Sequence, residues 1–180
     1  MSDKSKRKLF VLVVLLFFAT LLILSRFYSI NIISGESMYP TFKNNSIFIS
    51  KKDNNNIDIG DVAVFKTPED WDDPNKLLIK RVLAKEGDNI KIKNDKLYIN
   101  NQFVLEVSND YYRNNDKSFN IDKGYYFVVG DNTPTSRDSL FYMLNYSKVN
   151  FLIPKDNIVG TGKKDSGKKE IDKYVKAYNK

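Results

Sequence analysis

Short runs of β-branched and aromatic residues recur along the chain after residue 30, separated by Asn, Asp, Gly and Pro. Runs of this length with turn-forming residues between them predict a mainly antiparallel β-protein. Two neighbouring runs predict a hairpin that turns at Asn100 and Asn101, because asparagine tolerates positive φ. The predicted strands are 46–50, 61–65, 77–84, 90–93, 96–100, 102–107 and 125–130.

A longer apolar run precedes the strands, over residues 9–24, and only Thr20 interrupts it. As a helix it covers roughly 24 Å, and the next four residues bring it to the ~30 Å of a bilayer core. We therefore predict a transmembrane anchor over 9–28. A cleaved secretory signal is the alternative. Against it, no small-x-small cleavage site follows the run, since Phe27 would occupy the −1 position.

The net charge of +7 is concentrated at the two ends of the chain. Residues 1–26 carry five basic residues and one acid, and residues 163–180 carry seven lysines and three acids. A nucleic-acid-binding protein usually has its basic patch on the folded body, so this distribution favours a membrane surface as partner and argues against nucleic acid. The basic cluster in residues 1–8 predicts a cytoplasmic N-terminus, with the chain outside from about residue 29.

The length of 180 residues allows one domain with a small insertion. We assign residues 29–162 to an extracytoplasmic domain that contains an inserted β subdomain over about 91–123, within which 108–123 forms a long loop. Residues 163–180 form a basic tail. Its apolar residues recur at helical spacing, which leaves a short amphipathic helix and a frayed, solvated segment as alternatives; they are Ile171, Tyr174, Val175 and Tyr178.

The sequence contains no histidine and no cysteine. A Ser-His-Asp triad, a thiol nucleophile and a disulfide are therefore excluded, and a zinc site is not expected. We predict that the protein uses neither a metal nor a cofactor.

Ser37 lies in the turn-prone stretch SGESMYP, residues 34–40. Without histidine, a serine nucleophile needs another base, and lysine is the best remaining side chain. Such a lysine must be buried, because burial penalises the ammonium form and lowers the pKa. Lys80 lies in the apolar run 77–84, where strand alternation places it on one face with Leu78. On pattern alone, a lysine that extends into solvent from a sheet edge remains an alternative.

Four motifs, in order along the chain, resemble the bacterial type I signal peptidases, which are membrane-anchored Ser-Lys proteases. S-M-x-P-T begins at Ser37, G-D-x-x-x-F at Gly60, K-R-V-x-x-x-x-G-D at Lys80 and G-D-N-x-x-x-S-x-D-S at Gly130. Residues 152–160 resemble the closing strand of that family. The resemblance covers nearly all of residues 1–162. It implies a mainly β, antiparallel signal-peptidase-like catalytic domain with one N-terminal transmembrane helix.

The resemblance also implies a role for individual residues. Ser37 would be the nucleophile and Lys80 the general base, with its amine oriented by a hydrogen bond to Ser136. Asp131 would pair with Arg81. Asp138 would brace the loop that carries Ser136.

The substrate and oxyanion region would comprise Gly35, Met38, Tyr39 and Pro40. The backbone N–H of Ser37 would donate to the oxyanion. Some relatives supply a second donor from a serine at the position of Gly35; glycine stands there in many Gram-positive-like members, so the second donor is unassigned.

The chain departs from the family pattern at Leu140, where the family usually has an arginine that pairs with the aspartate equivalent to Asp138. Arg137 would have to replace that arginine. Ala84 and Glu86 stand where the family has Gly and Pro. These departures affect the stability of the active-site loop more than the reacting groups.

The expected function is therefore that of a membrane-anchored serine endopeptidase that removes signal peptides from exported preproteins after small-x-small sites. The expected partners are those preproteins, the lipid bilayer and the secretion translocon. A signal-peptidase-like assembly chaperone for surface proteins or pili, without catalysis, is the alternative. A Ser-Lys self-cleaving repressor is a weaker one, since such a protein carries a DNA-binding module where this chain has an apolar segment.

Overall fold

The computed structural model describes residues 2–107, 116–146 and 150–180. The chain begins with helix α1, Asp3–Phe27, which leads directly into the first strand. Among the described residues, α1 is the one helix long and apolar enough to cross a membrane. Residues 9–27 of the predicted segment 9–28 lie on this helix, which begins six residues earlier, and Tyr28 already belongs to the first strand.

The remainder is built from two antiparallel sheets. A seven-stranded sheet has the order β1-β2-β11-β3-β4-β9-β10, and a four-stranded sheet has the order β7-β6-β5-β8. In chain order the strands are β1 Tyr28–Ile32, β2 Ile47–Lys51, β3 Val62–Lys66, β4 Leu77–Lys85, β5 Asn89–Lys93, β6 Lys96–Ile99, β7 Gln102–Glu106, β8 Lys117–Asn120, β9 Tyr125–Val129, β10 Ile153–Pro154 and β11 Ile158–Gly162. The mainly antiparallel β-fold is confirmed.

The four-stranded sheet corresponds to the inserted subdomain, and it begins at Asn89. Its predicted hairpin is present: Asn100 and Asn101 both have positive φ, at 51° and 62°. The loop predicted over 108–123 is wrong in part, because Lys117–Asn120 pairs with β5 along its length. That strand has one apolar residue in four, so the pattern carried no strand signal. Residues 108–115 of the predicted loop lie outside the described residues.

One core joins the two sheets and two helices. Buried side chains from β4, β9 and the four-stranded sheet pack together with residues of α2, Ser139–Asn145, and α3, Lys169–Tyr178. A smaller core lies beneath the segment between β1 and β2 and is formed by Ile33, Met38, Phe42, Phe48, Val62 and Val64. Short 3₁₀ turns occupy Thr133–Thr135 and Lys155–Asn157.

The C-terminal segment 163–180 is part of the folded domain, and the alternative of a frayed tail is wrong. The apolar stripe of α3 faces the core, with Ile171 and Tyr174 each 1% exposed. The Tyr174 hydroxyl donates to the carbonyl of Leu83 at 2.6 Å. Two more side chains attach the C-terminal end of the segment, since Tyr178 donates to the Asp88 carboxylate at 3.0 Å and the Asn179 amide donates to the carbonyl of Ile59.

This docking predicts a large stability effect from a residue near the C-terminus. Ile171→Ala should lower the free energy of unfolding by about 2–5 kcal/mol, because it removes buried methyl groups and leaves a cavity in the main core. Denaturant unfolding in detergent micelles measures the change. Lys173→Ala, an exposed position of the same helix, is the control and should stay within about 0.5 kcal/mol of the wild type. Equal values for the two variants would mean that α3 does not contribute to the core.

Candidate active site

Ser37 and Lys80 meet at the centre of the seven-stranded sheet. Ser37 lies in the turn that follows Ile33, and Lys80 lies on β4 opposite Ala63 of β3. The Lys80 Nζ donates to the Ser37 Oγ at 2.7 Å. Lys80 is 3% exposed, so the alternative of a lysine whose side chain extends into solvent is wrong.

Burial is the main influence on the charge of Lys80. It lowers the pKa of the Lys80 amine from 10.5 to about 8, against a smaller opposing effect of the Asp138 and Asp131 carboxylates. At pH 7 roughly one molecule in ten then carries a neutral amine, compared with roughly one in three thousand at the ordinary pKa. The site therefore holds a usable fraction of free base at neutral pH.

The neighbouring residue on β4, Arg81, forms a buried ion pair with Asp131. Its Nε and Nη2 donate to the two carboxylate oxygens at 2.8 and 2.7 Å, and the side chains are 2% and 0% exposed. The remaining nitrogen, Nη1, donates to the carbonyls of Gly60 and Lys164 at 2.7 and 2.6 Å. The pair predicted from the sequence is present, and it has the bidentate geometry that arginine, unlike lysine, provides.

The loop after β9 holds the nucleophile in place through Asn132, a residue to which the sequence analysis gave no role. The Asn132 backbone N–H donates to the Ser37 carbonyl at 2.9 Å, and its side-chain amide donates to the Glu36 carbonyl at 3.1 Å. Gly130 permits the close approach, because a Cβ there would lie 2.5 Å from the Ser37 carbonyl oxygen. The G-D-N motif was the available signal for this contact.

Ser136 is buried, at 5% exposure, but its expected hydrogen bond to Lys80 is not formed. No acceptor or donor among the described residues lies in hydrogen-bonding geometry with the Ser136 hydroxyl. It packs against Gly130, where a Cβ would be 2.3 Å from its oxygen. The motif placed Ser136 in the site; its hydrogen bonding depends on rotamers that a motif does not specify.

Asp138 braces the loop by two backbone contacts. Its carboxylate accepts from the Gly130 N–H at 2.8 Å and from the Phe141 N–H at 3.1 Å, which caps α2. Burial raises the pKa of Asp138, and these amides act in the opposite direction.

The proposed replacement of the missing arginine by Arg137 is wrong. Arg137 pairs with Asp72 at 3.1 Å, and both side chains are substantially exposed. Leu140, at the usual arginine position, is 5% exposed and belongs to the main core. Arg137 lies at the rim of the site because its neighbour Ser136 faces inward. Its pairing with the solvated Asp72 avoids the free-energy cost of burying the guanidinium group.

A cleft of about 370 Å³ opens at the dyad. Ser34–Ser37 line it together with Leu78 and Lys80 of β4. One wall includes a stacked pair, Trp71 and Tyr142, with ring centroids 4.0 Å apart. The sequence analysis did not identify this wall, since Trp71 and Tyr142 are 71 residues apart along the chain.

Only one of the four residues predicted for the substrate region, Gly35, lines this cleft. Its backbone N–H is occupied by the Asn44 side chain at 2.9 Å. Met38 lies in the smaller core at 1% exposure, and Tyr39 is 52% exposed. Pro40 contacts the C-terminal segment, where a Cβ on Gly167 would be 3.0 Å from it. Met38 and Pro40 therefore support the segment that carries Ser37 and do not line the cleft.

Comparison with known proteins gives consistent matches. The family described as signal peptidase, peptidase S26, matches residues 6–164. Signal peptidase I U of Bacillus subtilis is 34% identical over 153 residues, which cover 76% of this chain and 80% of that protein. Signal peptidase IB of Staphylococcus aureus is 32% identical over 150 residues, covering 71% and 72%. A crystal structure of a signal peptidase I from Enterococcus faecalis matches with a TM-score of 0.44 and 22% identity, over 60% of this chain and 97% of that one.

These matches and the four motifs define a serine peptidase, a hydrolase. The chain belongs to the signal peptidase family, peptidase S26, and within it to the bacterial type I enzymes.

The lowered pKa of Lys80 predicts a pH-dependent stability difference. Between about pH 8 and 10.5 the unfolded chain binds the proton that the folded chain has lost, so this group makes stability rise with pH across that window. Lys80→Met removes the effect. The stability of the variant relative to the wild type should therefore be greatest below pH 8 and should fall by roughly 3 kcal/mol by about pH 10.5.

Denaturant unfolding of both proteins over this pH range tests the prediction. Lys93→Met, at an exposed position of β5, controls for the loss of one positive charge. A stability difference between Lys80→Met and the wild type that stays constant across the range would contradict the burial argument.

Proposed function

We propose that the protein removes N-terminal signal peptides from exported preproteins by a Ser37–Lys80 dyad, cleaving after small-x-small sites. The observation that carries the proposal is the 2.7 Å contact between a buried lysine amine and a serine hydroxyl at the base of an open cleft. A serine and a lysine are all that this chemistry requires, which fits a sequence without histidine.

In the proposed reaction, neutral Lys80 accepts the proton of the Ser37 hydroxyl as the oxygen attacks the scissile carbonyl. The protonated amine then gives that proton to the leaving amine, and an acyl-enzyme on Ser37 results. A water molecule, deprotonated by the same amine, hydrolyses the ester. Because Asp131 already pairs with Arg81, it does not form a permanent ion pair that would hold the Lys80 amine in its protonated form.

The backbone N–H of Ser37 is the proposed oxyanion donor. Among the described residues it donates no hydrogen bond, and Asn132 fixes the carbonyl of the same residue. A preorganised amide that is free before the reaction can stabilise charge that develops during it. Gly35 is a poor second donor in this conformation because Asn44 occupies its N–H.

The open edge of β4 supports binding of the substrate as an added strand. The pairing of β4 with β9 begins at Arg81, so Leu77–Lys80 have a partner strand on the β3 side only. This free edge faces the cleft together with Ser34–Glu36. An extended peptide between them would gain backbone hydrogen bonds, and pockets along the cleft would select among its side chains.

An apolar surface beside α1 supports attachment to the bilayer. On β1 and β2 the outward face carries Ile30, Ile32, Ile47 and Ile49, which are 60–74% exposed. Exposed apolar patches of this kind mark interaction surfaces, and this one starts where the candidate membrane helix ends. The exposed Phe27, Tyr28 and Tyr39 extend it. Phe42, three residues after Tyr39, is buried in the smaller core.

We propose the topology that the charges indicate, with residues 1–8 in the cytoplasm and the catalytic domain outside the membrane. The secretion translocon is a proposed further partner, since it delivers signal peptides to that side. The non-catalytic chaperone is less favoured, because such a protein has no need for a lysine buried at a cost in stability beside a serine.

Cleavage of a preprotein with Ala at −3 and −1, in detergent, tests the dyad. The wild type should cut after the −1 Ala, and Ser37→Ala and Lys80→Ala should each lose at least ~10³ in rate. Lys85→Ala, the next lysine on β4, is the matched control and should retain the wild-type rate within about threefold. A folded wild type that does not cleave would favour the chaperone.

The pH dependence of kcat/KM should follow Lys80. Because the free amine is the active form, the rate should rise with pH and level off above a midpoint near the pKa of about 8. A steady-state pH series on the same preprotein measures it. A profile that falls across this range would exclude a lysine base.

A further inference from the structure

The C-terminal strap, residues 163–180, reaches past the last residue matched by the family, residue 164, and contacts the nucleophile segment. We propose that the strap is a positioning element for catalysis, acting through Ser166 and Gly167 on the segment that carries Ser37. The proposal rests on the proposed Ser-Lys peptidase function. No strap residue lines the cleft at the dyad, so its action on the reaction is indirect.

The strap has a rigid attachment. Helix α3 is fixed by Ile171 and Tyr174 in the core. The Asp172 carboxylate of the same helix accepts hydrogen bonds from the Ser166 N–H at 2.9 Å and the Ser166 hydroxyl at 2.8 Å. Ser166 is fully buried. The turn before α3 is therefore held by the helix itself.

That turn contacts two residues next to the dyad. The Lys164 carbonyl accepts from Arg81, the residue after the general base, at 2.6 Å. The Ser166 carbonyl accepts from the hydroxyl of Thr41 at 2.6 Å. Both acceptors are backbone carbonyls, so their positions depend on the path of the strap and not on the identity of a side chain.

The contacts continue from Thr41 to the nucleophile by two routes. Through space, the Thr41 hydroxyl shares its single proton between the Ser166 carbonyl and the Asp131 carboxylate, and the residue after Asp131, Asn132, donates to the Ser37 carbonyl at 2.9 Å. Along the chain, Thr41 follows Pro40, against which Gly167 packs. A shift of the turn would therefore be transmitted to Ser37 from both directions.

Gly167 offers a direct way to displace this turn. It has a φ of +68°, and a Cβ there would lie 3.0 Å from the Pro40 Cγ. Gly124 is a matched control, since its φ is +83° and a Cβ there would meet nothing within 4 Å. Alanine at either position has the same kind of backbone strain, but only Gly167→Ala pushes on the nucleophile segment.

The test uses the full chain in detergent. Gly167→Ala should lower kcat on the preprotein about tenfold or more with KM within about twofold, because small displacements of a reacting group are costly to the chemical step. It should slow reaction of Ser37 with a fluorophosphonate by a similar factor. Gly124→Ala should lose a similar amount of melting temperature and keep kcat and labelling within about twofold. Equal kcat and labelling in the two variants would overturn the proposal, since the strap would then contribute stability alone.

A second pair of variants covers the case in which Gly167→Ala does not fold. Asp172→Ala releases Ser166 without touching Thr41 or Arg81, and Glu170→Ala removes an exposed acid from the same helix turn. Asp172→Ala should lower kcat and labelling severalfold relative to Glu170→Ala. No difference between them would count against the strap.

Failure of the proposed function gives a different result. If the wild type is labelled at Ser37 but does not cleave the preprotein, the peptidase function is wrong and labelling of the variants still decides the positioning role. If the folded wild type is neither labelled nor active, Ser37 is not an activated nucleophile and both proposals are overturned.

Discussion

The buried ion pair between Arg81 and Asp131 connects every segment that builds the site. Arg81 belongs to the central strand β4, and Asp131 belongs to the loop that holds Ser37 through Asn132. The third nitrogen of Arg81, Nη1, donates to the carbonyls of Gly60 and Lys164. Burying two charges is costly unless they pair with good geometry and their other hydrogen-bonding groups are satisfied. Here the requirement is met only if the strand, the loop and the C-terminal strap are all in place, so the pair makes assembly of the site cooperative.

Two adjacent basic residues of β4, Lys80 and Arg81, lie in opposite electrostatic environments. Arg81 receives a carboxylate at contact distance, whereas Lys80 receives a hydroxyl and feels Asp138 and Asp131 only as longer-range charges. Strand alternation is the cause, because successive side chains point to opposite faces of a sheet. One face collects the structural ion pair and the other collects the base. A buried lysine without a carboxylate at contact distance is less stable in its protonated form. Its pKa is therefore lowered, and the amine can act as a base near neutral pH.

The sheet also determines where a substrate can bind. β9 stops opposite Arg81, which leaves the first half of β4 unpaired on that side and open to the cleft. The outward face of β1 and β2, with its four exposed isoleucines, places the apolar surface at the other edge of the sheet.

The sequence by itself determined seven of the eleven described strands, the hairpin at Asn100 and Asn101 and the apolar helix, and its motifs singled out Ser37 and Lys80, which the structure brings into contact. The strands, the hairpin and the helix follow from local properties, which are side-chain alternation, the tolerance of asparagine for positive φ and a continuous apolar run, whereas the pair rests on the resemblance to a family. Only the tertiary structure decided the partners of side chains that meet across the chain. Arg137 pairs with Asp72 and not with Asp138, Ser136 leaves Lys80 without its expected hydrogen bond, and the lysine-rich tail docks through Ile171 and Tyr174. The physical reason is that burial and hydrogen-bond geometry depend on residues far away in sequence, and no local pattern encodes which of several satisfactory partners lies within reach.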